Sequence, residues 1–354
     1  MSVETTTHDA RVKTRIAPLL RIAVTAAAVA VSSAVSAAAS APEADFAARC
    51  AAPGVLVCEG FDNASTFVQS PYQNEGLYSG DIGVMGFQDI NVKASGGSSL
   101  RFDIHGRTGS DPAGNFSKNF GITFSQNSTY YVQFRQRFDS NMLSIDWGTM
   151  GTSFKHAVMY DMNGFSCANI ELATVNNYSS NIPLMYSQCG GRGVRTSLTD
   201  FNSFTTAVPY YYQQGSSLSS GYNCEYANVF LGTGNGKGCF RYDADKWFTF
   251  YYKIKVGSWG SPNSSVEAWV SMDGGPYLQW TNVRDYVLFH DGSPSGGFNR
   301  IMLTPYMTNK NSSVDHATSY TWYDELIVST QPIAASGGAS QTAIAAPSNL
   351  RIVQ

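Results

Sequence analysis

The chain has 354 residues, 14% of them charged and 13% aromatic, and a formal net charge of −3. No basic cluster stands out in its folded part, which argues against nucleic acid as a partner. Scarce charge with frequent Gly, Ser, Asn and Tyr excludes a charged, helical cytosolic enzyme and describes an exported, turn-rich, all-β protein.

Residues 1–41 read as a secretory signal peptide. Arg11, Lys13, Arg15 and Arg21 lead into an Ala- and Val-rich run from Ile22 to Val35, and small residues around Ala37 to Ala41 offer cleavage sites. That layout places the mature chain outside the cytoplasm, extracellular or periplasmic. The alternative, a membrane anchor, asks for a longer and more Leu-rich run, and no later segment would span a membrane. The remaining cysteines are Cys50, Cys58, Cys167, Cys189, Cys224 and Cys239. An even number fits disulfides in an exported chain, and the sequence order favours 50–58, 167–189 and 224–239, each stapling a neighbouring loop or hairpin. A cysteine metal site is disfavoured, because there is no CxxC and no nearby Cys/His cluster.

From the signal onward, period-2 segments follow one another. "GVLVCEGFD" is the first predicted strand. In "SSLRFDIHG", Leu100, Phe102 and Ile104 share one face, opposite Arg101, Asp103 and His105. In "TYYVQFRQRFDS", Val132, Phe134 and Phe138 are apolar while Tyr131, Gln133, Arg135 and Arg137 line the other side. "SFKHAVMYDM", "ANIELATVNN" and "IPLMYSQCG" continue the series. Residues 190–244 are long, polar and rich in Gly, Ser, Asn and Tyr, and read as an extended loop or lid; the tyrosines of "PYYYQQ" either cover a groove or pack the loop down. "KWFTFYYKIKVG" puts Phe248, Phe250, Tyr252, Ile254 and Val256 on one face. "SSVEAWVSMDGGPY" is a hairpin turning at Asp273-Gly274-Gly275. "FNRIMLTPYMTN" and "SYTWYDELIVST" close the domain. No amphipathic helix longer than two turns is expected. From Ala334 the composition shifts to Ala, Ser, Gly and Thr, a flexible tail. The expected organisation is a signal at 1–41, a domain at 42–333 and a tail at 334–354. Two packed antiparallel sheets, a β-sandwich of jelly-roll type, follow from many strands and few helices.

The order "GGSSLRFDI", "YYVQFRQRF", "FKHAVM", "KWFTFYYKIKVG", "IMLTPYMTNK", "YTWYDELIVST" resembles secreted concanavalin A-like jelly rolls, and among them the polysaccharide lyases of alginate, glucuronan or heparin-type chains. The likeness runs from about Leu56 to Ile333. It lies in strand order and texture: the R-T-E-L-R and Q-I-H motifs of alginate lyases are absent, as is the E-x-D-x-x-E motif of laminarinase-like glycosidases. The resemblance implies a monomeric enzyme that cleaves an acidic polysaccharide by β-elimination. It requires no cofactor, leaves room for a structural calcium ion, and has no membrane contact after signal removal.

Elimination needs a cation on the substrate carboxylate, a base for the α-proton and an acid for the leaving oxygen. Arg135 and Arg137, two apart, project together and suit a polyanion, with Gln133 beside them. Lys155 and His156 are adjacent, so one should face the groove: His156 as base, Lys155 as carboxylate-binding cation. Glu171, flanked by Ile170 and Leu172, faces away from the core and would meet Lys155 or Arg135. Tyr306 in "TPYMTNK" and Lys310 resemble the late Tyr and Lys that finish the groove in related lyases, with Tyr306 as acid or base. Tyr186, anchored by Cys189, would line the same groove. His105 and His290 are weaker candidates. Asp324 and Glu325, side by side in the closing strand, diverge in a regular strand and so are mainly structural. In such folds that strand pairs with the first. Two other readings stay open. One is a lectin-like binding module. The other is a glycoside hydrolase, which needs a second carboxylate facing Glu171.

Overall fold

In a computed structural model, the structure describes residues 42–71, 74–79, 86–109, 114–145, 153–161, 171–177, 181–187, 194–196, 199–200, 211–213, 240–288, 295–307 and 310–337. All of them belong to one compact unit, Ala38–Gln354. Helix α1 (Pro42–Cys50) leads into strands β1 (Val55–Glu59), β2 (Gly76–Tyr78), β3 (Gly86–Asp89), β4 (Ser99–Ile104), β5 (Asn115–Phe124) and β6 (Thr129–Phe138). A short helix α2 (Ser140–Ser144) precedes β7 (Ser153–Tyr160), β8 (Glu171–Asn177), β9 (Ile182–Ser187), β10 (Val194–Thr196), β11 (Thr199–Asp200) and β12 (Tyr211–Gln213). The last five strands are β13 (Trp247–Lys255), β14 (Pro262–Met272), β15 (Leu278–Leu288), β16 (Phe298–Leu303) and β17 (Ser319–Ser329).

These strands form two antiparallel sheets. One is ten-stranded, ordered β11-β10-β15-β14-β13-β6-β17-β4-β3 with β1 also on β17. The other is seven-stranded, ordered β12-β9-β8-β7-β16-β5-β2. The apolar sets read from the sequence meet between them. Leu100, Phe102, Ile104, Val132, Phe134, Phe138, Phe248, Phe250, Tyr252, Ile254 and Val256 belong to one buried cluster with Ala157, Met159, Leu172, Ile301 and Leu303 of the seven-stranded sheet. Ring pairs carry much of the contact. Phe134 stacks on Phe250 at 5.2 Å, and Tyr242 meets Phe138 and Phe248 at 5.0 Å each. Removing one such buried ring costs about 3–5 kcal/mol, from lost transfer energy and the cavity left behind.

Some elements differ from the sequence reading. Helix α1, of nine residues, went unread, as did the ten-residue β5. The stretch read as one long loop contributes three short strands, and β12 pairs with β9 at the edge of the seven-stranded sheet. The start of the Ala-rich tail is held down: Gln133 Nε2 donates to the Ala334 carbonyl at 3.1 Å, and Thr249 and Ser336 share a hydrogen bond at 2.8 Å.

The closing strand β17 is central, not peripheral. One edge pairs with β6. The other pairs with β4 over Ser319–Tyr323 and with β1 over Leu326–Ser329. Where the partner changes, an extra residue enters: Asp324 lies opposite Arg135 and Ile327 opposite Gln133. Glu325 there adopts φ 50°, the left-handed region that non-glycine residues rarely occupy. Tyr323 and Leu326 stay in the core, so the bulge turns both carboxylates to the outer side. Asp324 accepts backbone N–H groups from Ala94 at 2.8 Å and Ser95 at 3.3 Å. Glu325 lies between Arg49 and Arg135. Both carboxylates are structural here, but they converge through the bulge where a regular strand would separate them.

Candidate active site

The outer face of the seven-stranded sheet is built by alternation against the core. On β7, Phe154, Ala157 and Met159 join the core, while Lys155, Val158 and Tyr160 point away. A bulge makes this possible. Lys155 pairs with Val175 and Ala157 with Thr174, so His156 is the added residue. It shifts Lys155 onto the face that carries Val158 and Tyr160. Without it, strict alternation would group Lys155 with Ala157 and Met159.

Three of the sequence candidates meet on this face. Lys155 Nζ lies 3.5 Å from Glu171 Oε1 and 5.4 Å from the centroid of the Tyr306 ring. The backbone fixes the contact, because Lys155 N–H donates to the Tyr306 carbonyl at 2.9 Å. Val158 and Ala173 are register partners between them, and their small side chains let the lysine stem lie along the sheet. Tyr186 pairs in register with Ala173 on the neighbouring strand; its side chain lies outside the described residues.

Three residues that the sequence reading passed over share this face. Arg300 pairs with Tyr160 on one side and with Asn119 on the other, and Tyr160 pairs with Glu171. Asn119, Arg300, Tyr160 and Glu171 therefore form one row across four adjacent strands. Arg300 Nε donates to Asn119 Oδ1 at 2.6 Å. The row is sheltered, with Arg300 1%, Glu171 4% and Tyr160 8% exposed. The visible signal was "FNRIML", which places an arginine between apolar strand residues.

The other candidates lie elsewhere. His156 is not in a groove. It is fully buried between the sheets, 4.7 Å from Phe250 and 5.9 Å from Phe134 in ring centroids, and neither ring nitrogen has a hydrogen-bond partner among the described residues. Desolvation lowers its pKa to about 3, so it stays neutral and out of reach of any substrate. Its placement follows from the bulge, which turns His156 and Ala157 to the same side.

Arg135, Arg137 and Gln133 face outward from the ten-stranded sheet, on the opposite side of the sandwich from Lys155. The sequence reading joined them in one groove because sheet membership cannot be read from alternation. Arg135 bonds Glu325 at 3.3 Å and lies over Trp247, and Arg137 bonds Asp245 at 2.9 Å and lies over Trp322. Phe87, Arg101, Trp322, Arg137 and Trp247 are successive register partners over five strands, a ladder in which cations alternate with rings. Gln133 is buried under α1 and the tail, accepting from Arg49 Nη1 at 2.7 Å. Lys310 is also structural. Its Nζ donates to the His105 carbonyl at 3.1 Å and to the Thr108 carbonyl and hydroxyl at 2.7 and 3.0 Å, and desolvation lowers its pKa to about 8.

The Cys50–Cys58 disulfide is present as expected, whereas Cys167, Cys189, Cys224, Cys239 and His290 lie outside the described residues. Among the described residues, no group of three or more His, Cys, Asp or Glu could hold a metal ion, and no helix is long and apolar enough to cross a membrane.

No protein-family model matches the chain, and no curated protein matches it in sequence. Solved structures do. An alginate lyase from Aplysia kurodai superposes with TM-score 0.51 at 11% identity, covering 77% of this chain and 98% of that one. The fold is the concanavalin A-like jelly roll. An endo-β-1,4-glucuronan lyase from Trichoderma reesei matches this jelly roll with TM-score 0.42 at 12% identity, over 70% of this chain and 87% of its own. An endo-1,3-β-glucanase from Streptomyces sioyaensis gives TM-score 0.39 at 13% identity, over 77% and 95%.

Proposed function

We propose that the protein is an exported polysaccharide lyase that cleaves a uronate-containing chain by β-elimination on the outer face of the seven-stranded sheet. The observation that carries this reading is the Lys155 ammonium held at once beside Glu171 and over the Tyr306 ring. The shared fold with an alginate lyase supports it. In such a reaction the C5–H bond breaks, its electron pair becomes the C4–C5 double bond, and the C4–O bond breaks as the leaving oxygen takes up a proton. Lys155 meets the sugar carboxylate, which acidifies C5 and stabilises the enolate-like state. Tyr306, beneath the same cation, takes the C5 proton and returns one to the leaving oxygen. Glu171 holds Lys155 in place between turnovers. None of these steps calls for a cofactor.

The test is ultraviolet absorbance of unsaturated uronides when the mature protein is given alginate, glucuronan, pectate or heparin-type chains separately. One substrate is expected to respond. Lys155→Ala and Tyr306→Phe should each lower kcat by about 100- to 10,000-fold. New reducing ends without the absorbance would replace elimination by hydrolysis, and neither signal would leave a binding module.

A further inference from the structure

The bulge that turns Lys155 outward leaves His156 without a register partner on β8. Its carbonyl must then find hydrogen bonds outside that ladder. Two donors reach it. Thr304 N–H approaches at 3.3 Å from just beyond β16. The Tyr323 hydroxyl donates at 3.0 Å from β17, a strand of the opposite sheet. Tyr323 is fully buried, and its ring lies 5.9 Å from Phe102 and 6.3 Å from Phe134 between centroids. Packing on these rings sets the direction of the phenol. The contact therefore crosses the core, and the larger sheet holds the irregular point of the strand that carries Lys155. Lys155 is the residue before that point. Its own N–H is tied to the Tyr306 carbonyl at 2.9 Å. The shape of the bulge thus sets how the Lys155 ammonium meets the Tyr306 ring, 5.4 Å from its centroid.

We propose that Tyr323 is a positioning residue, which acts through the His156 carbonyl to hold Lys155 over Tyr306. The inference rests on the lyase reading for its effect on turnover, but not for its effect on the bulge. Tyr323→Phe keeps the packed ring and removes only the hydroxyl. One buried hydrogen bond is worth about tenfold in a local opening equilibrium. A small misplacement of a catalytic group costs at least as much in rate.

The experiment compares full-length mature wild type, Tyr323→Phe and a control, Tyr130→Phe. The Tyr130 hydroxyl is also buried but has no hydrogen-bond partner among the described residues. Amide hydrogen exchange, resolved by residue, is the first readout. In Tyr323→Phe the Lys155 and Thr304 amides should exchange about tenfold faster, while the amides of β6 and β13 keep their wild-type rates. The second readout is turnover of the uronate chain that responds. In Tyr323→Phe kcat should fall about tenfold with KM unchanged. Tyr130→Phe should move neither readout. Wild-type exchange at Lys155 and Thr304 overturns the proposal. So does an equal rise across β6 and β13, which would mean general loosening of the core. Wild-type kcat alongside faster local exchange overturns it as well. If the local exchange changes as expected but wild type forms no unsaturated product from any chain, the hold of Tyr323 on the bulge stands and the lyase reading falls.

Discussion

His156 shows what a single buried titratable group does to stability. Its pKa is lowered to about 3 by desolvation, against about 6.5 in an unfolded chain. Between those values the unfolded state binds a proton that the folded state refuses, so stability is fully present above pH 6.5 and falls as pH drops toward 3. The loss is about 1.4 kcal/mol per pH unit, or about 2 kcal/mol by pH 5. His156→Leu removes both the proton linkage and two ring nitrogens that have no hydrogen-bond partner among the described residues. Urea unfolding of the variant and wild type should give similar or better stability for the variant at pH 7, and a gap widening to about 2 kcal/mol at pH 5. Parallel stability profiles would show that His156 titrates normally. Alternation could not foresee this burial. The residue types in "FKHAVM" were legible, but a one-residue bulge decides which of Lys155 and His156 faces out.

At the scale of elements, the β17 bulge and helix α1 act together. The bulge turns Glu325 outward, and Arg49 from α1 reaches it with 2% of its side chain exposed, also bonding Asp45 and Gln133. The next residue, Cys50, ties the same helix to β1. Arg49→Met leaves a buried carboxylate with Arg135 as its remaining cation, and should cost about 3 kcal/mol. Replacing Cys50 and Cys58 by Ser opens a short loop, with a sequence separation of 8, and should cost about 2.5 kcal/mol in the chain-entropy account. Combined, the two changes should cost less than their sum, because either one frees α1. Full additivity in denaturant titrations would mean that the helix does not link them. The strands around this feature were legible from period 2. The helix was not, because its apolar contacts are few and its anchor is an arginine.

For the whole molecule, the main thing alternation left open was which strand joins which sheet. β6 and β7 follow one another in sequence with only α2 between them, yet they belong to different sheets. That separates Arg135 from Lys155, and it is why the candidate residues divide between the outer faces of the two sheets. The same topology makes most strand pairings non-local, and folding correspondingly slow. Refolding by stopped-flow dilution from urea should take seconds or longer, with no dominant millisecond phase.

β17 ends at Ser329 and lies between β6 and β4. A ribosome therefore completes nearly every other strand before it makes the one that joins the two halves of the larger sheet. Until then the larger sheet is in two pieces, with β6 and β4 each keeping an edge that only β17 pairs.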